Sequence, residues 1–306
     1  MDSRSGAGRE AWLWERVLDI GGCGAGIGLC PDRGRTADLA SLAVNTNIHP
    51  SALISDEAEL GGDVVVGPYA VIEGPVRIGD GCRIGSHAQL VGDVEVGDGC
   101  TIGRGAIVGE DPQDLGFDPE TPSGVRIGRG NVFREYVTVH RSGSEGRNTT
   151  VGEENFLMAG VHLGHDVTLG DGNVLANNCL IAGHVEVGNR VFLGGGTGVH
   201  QFVRVGDYCL TQGNSGLTKD LPPYVVSHQI NQFGGINSVG LRRAGFDGEA
   251  RREIRRVVQV LLRDAKPLKK ALAELAGQAW GEPAQKLIDF VAAESRKGVL
   301  RVPGRS

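Results

Sequence analysis

Apolar residues recur every sixth position through most of this chain, and that spacing excludes more folds than any other feature of it. The series runs Ile48, Ile54, Leu60, Val66, Ile72, Ile78, Ile84, Leu90, Val96, Ile102 and Val108. A small or β-branched residue follows four positions later, as at Ala52, Ala58, Val64, Ala70 and Cys82. The register breaks over 109–126, resumes at Ile127, Phe133 and Val139, breaks again around 143–150, and then continues from Val151 through Leu217. An amphipathic helix would show a period of about 3.6 and a half-buried strand a period of about 2. A period of six fits a triangular solenoid over residues 48–221, with one short strand per hexad and three hexads per coil. Residues 18 apart then stack in successive coils, about 4.8 Å apart. Three faces converge on a narrow interior, so small residues are expected at the inward positions. No coil can bury its own interior, and each needs neighbours. Gly, at 50 of 306 residues, supplies tight corners.

The known hexapeptide-repeat proteins share this pattern and are left-handed. The fold expected from the resemblance is therefore mainly β, a left-handed parallel β-helix of hexapeptide repeats with a small C-terminal α-helical domain. The helical part shows in stripes at Ile254, Val257, Val258, Leu261 and Leu262, then Leu268, Leu272 and Leu275, then Leu287, Ile288 and Val291. Asp247 is the expected N-cap, and Pro267 an interruption. The division expected is 1–46, a disordered or non-native extension with a short helix around Ala11–Val17; 47–238, the β-helix; and 239–306, the helical domain. A net charge of −6 argues against general nucleic-acid binding. The first 20 residues hold no apolar signal-peptide core, and no apolar run approaches a membrane span. A cytoplasmic protein with no integral membrane association is expected. The six Cys show no zinc-ribbon spacing, and Cys23 and Cys30 read as unpaired thiols.

Stacking by 18 gathers His residues. His165, His184 and His200 belong to hexads that start at Leu163, Ile181 and Val199, so they share one face or its adjoining corner in three successive coils. His162 closes the preceding hexad, and Asp166, Asn177 and Asn178 are expected nearby. Three readings remain open: a row of solvated side chains, a zinc site, and general-base catalysis with Asp166 orienting an imidazole.

Around these residues the sequence resembles the UDP-N-acetylglucosamine O-acyltransferases of lipid A biosynthesis, a hexapeptide-repeat acyltransferase family, over roughly residues 46–300. The matching stretches are Pro112-Gln-Asp-Leu115, Arg134-Glu-Tyr-Val-Thr-Val-His140-Arg141, Leu157-Met-Ala-Gly-Val-His162-Leu-Gly-His165-Asp166, Leu175-Ala-Asn-Asn178, Ala182-Gly-His184, Val199-His-Gln-Phe202, Asp220-Leu-Pro-Pro-Tyr224 and Gly240-Leu-Arg-Arg-Ala-Gly-Phe246. The resemblance implies transfer of a 3-hydroxyacyl chain, carried on the phosphopantetheine of acyl carrier protein, to the glucosamine 3-hydroxyl of a UDP-sugar. It implies no further cofactor and no metal. His165 would be the base, Asp166 its partner and Gly183 an oxyanion donor. Gln113, Asp114, His140, His162, His184, His200 and Gln201 would contact sugar or acyl chain, and Asn237 and Arg243 the nucleotide. Gly213 matches the position that limits acyl length, and its lack of a side chain favours a longer chain. A homotrimer is implied, with acyl carrier protein docking on the helical domain, where Arg242, Arg243, Arg251, Arg252, Arg255 and Arg256 supply positive charge.

The chain departs from the family pattern at three positions. Gly116 stands where a basic residue is usual, in a lengthened Pro-rich loop; Ser142 replaces the usual Gly after His-Arg; and Ala244 replaces a second Arg. The first and last remove positive charge near the expected nucleotide. Other readings are N-acylation of a UDP-amino sugar, a zinc lyase resembling the β-helical carbonic anhydrases, and an inactive sugar-nucleotide-binding scaffold.

Overall fold

The computed structural model describes residues 46–264 and 266–302. The expected helix around Ala11–Val17, Cys23 and Cys30 lie outside them.

Each hexad forms a strand of two to four residues, and each strand pairs in parallel with the one a coil earlier and a coil later. Asn47 is in register with Val65, Val65 with Arg83, and Arg83 with Thr101, so the period of 18 is the pairing register itself. Three sheets result, of 11, 9 and 8 strands, each built from every third strand of the chain except for the last two strands of the first sheet. The two breaks in the pattern are excursions, over 111–123 and 141–147, after which pairing resumes between Gly124–Ile127 and Asn148–Val151.

Both columns of the hexad point inward. Leu90, Leu163, Leu175 and Ile181 are fully buried, and so are Ala88, Ala106, Val161 and Cys179 four positions on. The expectation that only small residues face the interior is therefore incorrect. The large side chains fill the space under the flat faces. Small ones are required only in the corners, where two faces converge and leave little room between them.

One corner column is polar inside. Cys82 and Cys100 give way to Asn131, Asn155 and Asn173, all at most 1% exposed. Asn155 donates from Nδ2 to Asn131 Oδ1 at 2.9 Å, Asn173 N–H donates to Asn155 Oδ1 at 2.8 Å, and Val191 N–H donates to Asn173 Oδ1 at 2.8 Å. Each buried amide thus satisfies a backbone donor in the next coil, which the burial of polar atoms demands.

At the C-terminal end the parallel pattern stops. An antiparallel hairpin of Val225–His228 and Gln232–Ile236 closes the first sheet. Isolated bridges from Gly216 to Ile230, Val205 to Leu221 and Asp220 to Val299 cover the other two. Four α-helices follow: α1 (Ser238–Arg243), α2 (Gly248–Val258), α3 (Leu268–Leu275) and α4 (Glu282–Ala292), with a π-helical turn over Gln259–Arg263. The Asp247 carboxylate accepts from Ala250 N–H at 2.8 Å, the N-cap expected for α2. Ile254, Val257, Leu261, Leu262, Leu275, Leu287 and Val291 are buried, as their stripes required. No helix among the described residues is long and apolar enough to cross a membrane.

Candidate active site

The corner that follows the second sheet carries, in four successive coils, Ser142 and Gly143, His165 and Asp166, Gly183 and His184, then Gln201 and Phe202. Asp166 and His184 occupy the left-handed backbone region, at φ 59° and 58°. A side chain there costs about 1–2 kcal/mol, so two of the chemically capable residues sit where the corner itself would prefer Gly.

Asp166 is the centre of this cluster, with its side chain only 9% exposed. Its Oδ1 accepts from the Ser142 hydroxyl, and its Oδ2 from Gly143 N–H at 3.0 Å and His165 Nδ1–H at 2.7 Å. Its own backbone N–H donates to Thr149 Oγ1 at 2.9 Å. Burial raises the Asp166 pKa, but the Ser142 hydroxyl, His165 and Gly143 N–H more than offset it. They hold the carboxyl below its ordinary range. An ionised Asp166 assigns the His165 proton to Nδ1 and leaves the Nε2 lone pair free. Nε2 faces Gly183, because a methyl group added there would lie 2.5 Å from it. The Gly183 N–H donates to no acceptor among the described residues.

His184 stands edge-on to His165, with ring centroids 5.0 Å apart and planes at 86°. Its Nδ1 is 3.9 Å from Asp166 Oδ2. Burial lowers its pKa, Asp166 opposes that, and His165, Arg296 and Arg147 add to it. A second pair lies one strand away. His162 Nδ1 and Thr138 Oγ1 share a hydrogen bond of 2.8 Å, and the His140 ring meets the His162 ring edge-on at 5.1 Å. Burial, with His140 and His165 adding, pushes the His162 pKa down to about 4. It is therefore neutral near pH 7. His140 Nδ1–H donates to the Asp111 carbonyl.

His165, Asp166 and His184 bring one potential ligand atom each within 4.8 Å of one another. Two ligands about 2.0–2.1 Å from one tetrahedral zinc lie roughly 3.4 Å apart. His165 Nδ1 and Asp166 Oδ2 are closer, at 2.7 Å, the distance of a charge-assisted hydrogen bond. The arrangement is that of a base with its orienting carboxylate, and a shared zinc would have to pull the pair apart.

Comparison with known proteins agrees with the resemblance seen in the sequence. A family model described as UDP N-acetylglucosamine O-acyltransferase, domain 2, matches residues 220–300. A model of bacterial transferase hexapeptide repeats matches 57–92, 75–110 and 148–183. An acyl-(acyl-carrier-protein)–UDP-N-acetylglucosamine O-acyltransferase from Thiobacillus denitrificans is 45% identical over 257 residues, which cover 83% of this chain and 99% of the relative. The chain belongs to the UDP-N-acetylglucosamine O-acyltransferase family. The enzyme of the same name from Halorhodospira halophila is 42% identical over 259 residues, 84% of this chain and 100% of the relative. Among solved structures, the UDP-N-acetylglucosamine acyltransferase from Bacteroides fragilis superposes with a TM-score of 0.79 at 34% identity, covering 83% of this chain and all of that one. The Francisella novicida enzyme gives 0.79 at 33%, covering 84% and 95%. Membership in this O-acyltransferase family fixes the hand of the coil: the fold is the left-handed parallel β-helix expected.

The structure gathers some of the family-type residues and leaves others apart. His165, Asp166, Gly183 and His184 form one cluster, with His162 and His140 beside it. His200 does not join them; it is exposed, and its Nδ1–H donates to the Gln201 carbonyl at 3.2 Å. Phe202 takes the place beside His184 instead. Asn177 and Asn178 are not near the dyad either, contrary to expectation. They turn the preceding corner, where Asn178 N–H donates to the Ala159 carbonyl. Gln113, Asp114, Gly116 and Gln201 are exposed. The Asp114 carboxylate accepts from Gly116 N–H at 2.9 Å, and no contact joins it to Asp166 within one chain. Gly213 is exposed, and a methyl group there would meet only the Gly195 carbonyl, at 3.3 Å. Asn237 caps α1, accepting from Gly240 N–H at 3.0 Å and donating to the Tyr208 carbonyl at 2.9 Å. Arg243 and Ala244 are exposed at the end of that helix.

Three residues of the site carried no expected role. Ser142, noted only as a departure, is an Asp166 ligand. Thr149 lies inside the same corner. Arg141 fastens the 111–123 excursion: it donates to Asp111 Oδ1 at 2.7 Å, to the Thr121 carbonyl at 2.6 Å and to the Pro119 carbonyl at 2.7 Å. The excursion thereby lies beside Gly143, with Pro112 Cγ 3.8 Å from where a Gly143 Cβ would be. Thr149 is buried two residues before Val151, where the hexad pattern resumes, and extending that pattern back by two positions is the one signal that could have marked it.

Proposed function

We propose that this chain transfers a 3-hydroxyacyl group from acyl carrier protein to the glucosamine 3-hydroxyl of UDP-N-acetylglucosamine, the first step of lipid A biosynthesis, with His165 as the general base. One observation carries the assignment of the base: Asp166 holds the His165 proton on Nδ1, so Nε2 is the free acceptor, and it lies against the Cα side of Gly183, whose N–H has no partner among the described residues. His165 Nε2 takes the hydroxyl proton as the oxygen attacks the thioester carbonyl. The carbonyl oxygen becomes an oxyanion beside Gly183 N–H. Collapse re-forms the carbonyl as an ester, and the phosphopantetheine thiolate leaves, taking the proton back from His165. Asp166 stays ionised throughout and stabilises the transient imidazolium. His184 and His162, neutral near pH 7, can donate to sugar or acyl oxygens without competing for the proton.

The enzyme acts as a homotrimer with each site between two β-helices, and the acidic carrier protein docks on the Arg-bearing face of α2. Two features support a composite site. Gln113, Asp114, His200, Gln201 and Arg243 are exposed, and among the described residues none of them hydrogen-bonds to His165 or Asp166 within one chain. Leu53 and Leu180 stand 67% and 55% exposed on the outer face of the second sheet, the face that carries His162.

The test supplies purified protein with UDP-N-acetylglucosamine or its 3-amino analogue, each with acyl carrier proteins bearing a series of hydroxyacyl lengths. The O-acylated product is expected, with a preference for longer chains. Exclusive use of the amino analogue would change the acceptor. His165→Ala should lower kcat by about 10²–10⁴-fold while sedimentation still gives a trimer. Near parental turnover in that variant would remove His165 from the mechanism.

A further inference from the structure

The segment that follows α4 returns to the last coil. Asp220 N–H donates to the Gly298 carbonyl at 2.9 Å, and Leu300 N–H donates to the Asp220 carbonyl at 2.8 Å. Leu300 is fully buried. Asp220, itself 1% exposed, is held by the Arg204 backbone N–H and Nε at 2.9 and 2.8 Å. Residues 296–300 are thus a strap, pinned at 298–300 along the β-helix. The two residues before the pin are cations, and both reach Phe202. The Arg296 guanidinium lies 4.8 Å from the centre of the Phe202 ring, and the Lys297 ammonium 5.8 Å. One face of that ring already lies flat on His184, at 4.6 Å with planes 7° apart. The cations therefore occupy the opposite face. A layered stack results, from the strap through Phe202 and His184 to the edge of His165.

We propose that the C-terminal strap positions His184, with Arg296 and Lys297 holding Phe202 by cation–π attraction against the imidazole. His184 has particular need of such support. Its ring nitrogens make no hydrogen bond to the described residues, and the Asp166 carboxylate stands 3.9 Å away, beyond hydrogen-bond reach. Ring contacts alone fix its orientation. Among the described residues, Phe202 in turn has only His184 and the two cations as ring partners. The inference rests on the acyl-transfer reading for its kinetic consequence, while its direct readout is independent of turnover.

The groups that face His184 are Asp166 and His165 from their shared corner, Arg147 from the 141–147 excursion, Arg296 from the strap, and Lys297 beyond Phe202. Removing the strap charges takes away repulsion of the imidazolium, so the His184 titration must move to higher pH. The experiment uses the full chain with Arg296→Gln and Lys297→Gln combined, with Phe202→Leu, and with all three changes together. Imidazole resonances of the free protein, assigned through His184→Gln, follow the titration, and steady-state kinetics follow turnover. We expect the double variant to raise the His184 midpoint. We expect kcat to fall about 3- to 10-fold, with KM for both substrates within twofold of the parent. Phe202→Leu should give the same fall, and the triple variant should add nothing to it. Arg296→Lys should recover most of the loss. An unmoved His184 titration overturns the proposal. So does a loss confined to the KM of one phosphate-bearing substrate and additive with Phe202→Leu, which would make the cations direct phosphate contacts. Both Gln substitutions lie in the strap outside the core, so the double variant remains informative even if Phe202→Leu unfolds the corner. Turnover retained in His165→Ala, with the His184 response intact, would defeat the acyl-transfer base and leave the strap standing.

Discussion

Replacing Asp166 by Asn removes a charge while preserving a shape, and the surrounding donors make the outcome calculable. An amide oxygen at the Oδ2 position still accepts from His165 Nδ1–H and Gly143 N–H. The amide nitrogen then faces Ser142, whose hydroxyl turns to accept. Geometry and tautomer survive, and only the charge opposite His165 is lost. A hydrogen bond to an ionised partner contributes about 1.5–3 kcal/mol, and a neutral one about 0.5–1.5. The difference, about 1–1.5 kcal/mol, appears only when His165 becomes cationic, so it falls on kcat as a loss of about 5- to 12-fold. KM should hold, because the charge on His165 develops only as it takes the hydroxyl proton. The same substitution has a signature in acid. The folded-state pKa of Asp166 lies below the unfolded value of about 3.9, so its stabilising contribution is complete above that pH and disappears as pH falls through the folded value. The Asn variant should lack this loss and show a flatter stability profile below about pH 4. Kinetics at saturating concentrations of both substrates, with urea unfolding at neutral and acid pH, tests both halves. A kcat within twofold of the parent, or a loss carried wholly by KM, would refute the role given to Asp166.

Gly183→Ala places a methyl group 2.5 Å from His165 Nε2, at a position with ordinary backbone geometry, so the ring must move. Turnover should fall by at least about 100-fold, with a melting temperature near the parent's, and an active variant would mean Nε2 does not face the acceptor. His162, neutral when folded down to about pH 4, charges at about 6.5 in the unfolded chain. Stability should therefore be complete above that pH and drop by up to about 3 kcal/mol as pH falls toward 4, and urea midpoints of His162→Asn should lose much of this slope. Asn155→Ala strips Asn131 Oδ1 of one donor and Asn173 N–H of its acceptor. It should cost about 2–4 kcal/mol by chemical denaturation, and a cost under about 1 kcal/mol would show the ladder to be dispensable.

The β-helix was legible because its period repeats a single geometric requirement many times: Val65, Arg83 and Thr101 pair in the register that counting by 18 gives. The adjacency of His165 and Asp166 was equally legible, since a dyad formed within one corner needs no knowledge of the tertiary fold. Corners themselves were the obstacle. His200 and Phe202 are two residues apart, and which of them stands beside His184 depends on how the corner turns. Hexad spacing does not encode that choice. Ser142 looked like a loss against the family pattern because a sequence shows the absent Gly and not the carboxylate within reach. The buried Asn column was hidden for a different reason. Asn131, Asn155 and Asn173 fall where Val or Cys also fits, and a polar residue there reads as exposed until its partners in the next coil are seen.

The manner in which the coil ends bears on whether copies of it can stack end to end. A regular solenoid offers at each end an unpaired sheet edge that matches its own opposite end, which makes it a template for fibre growth. Here the first sheet finishes in a strand of reversed direction, the second beneath Ile230, and the third beneath Leu221 and Val299. A head-to-tail filament needs both ends of every subunit open. Closing the C-terminal end alone leaves a second molecule nothing to extend, so the stacking that builds the interior cannot run on from one chain into the next.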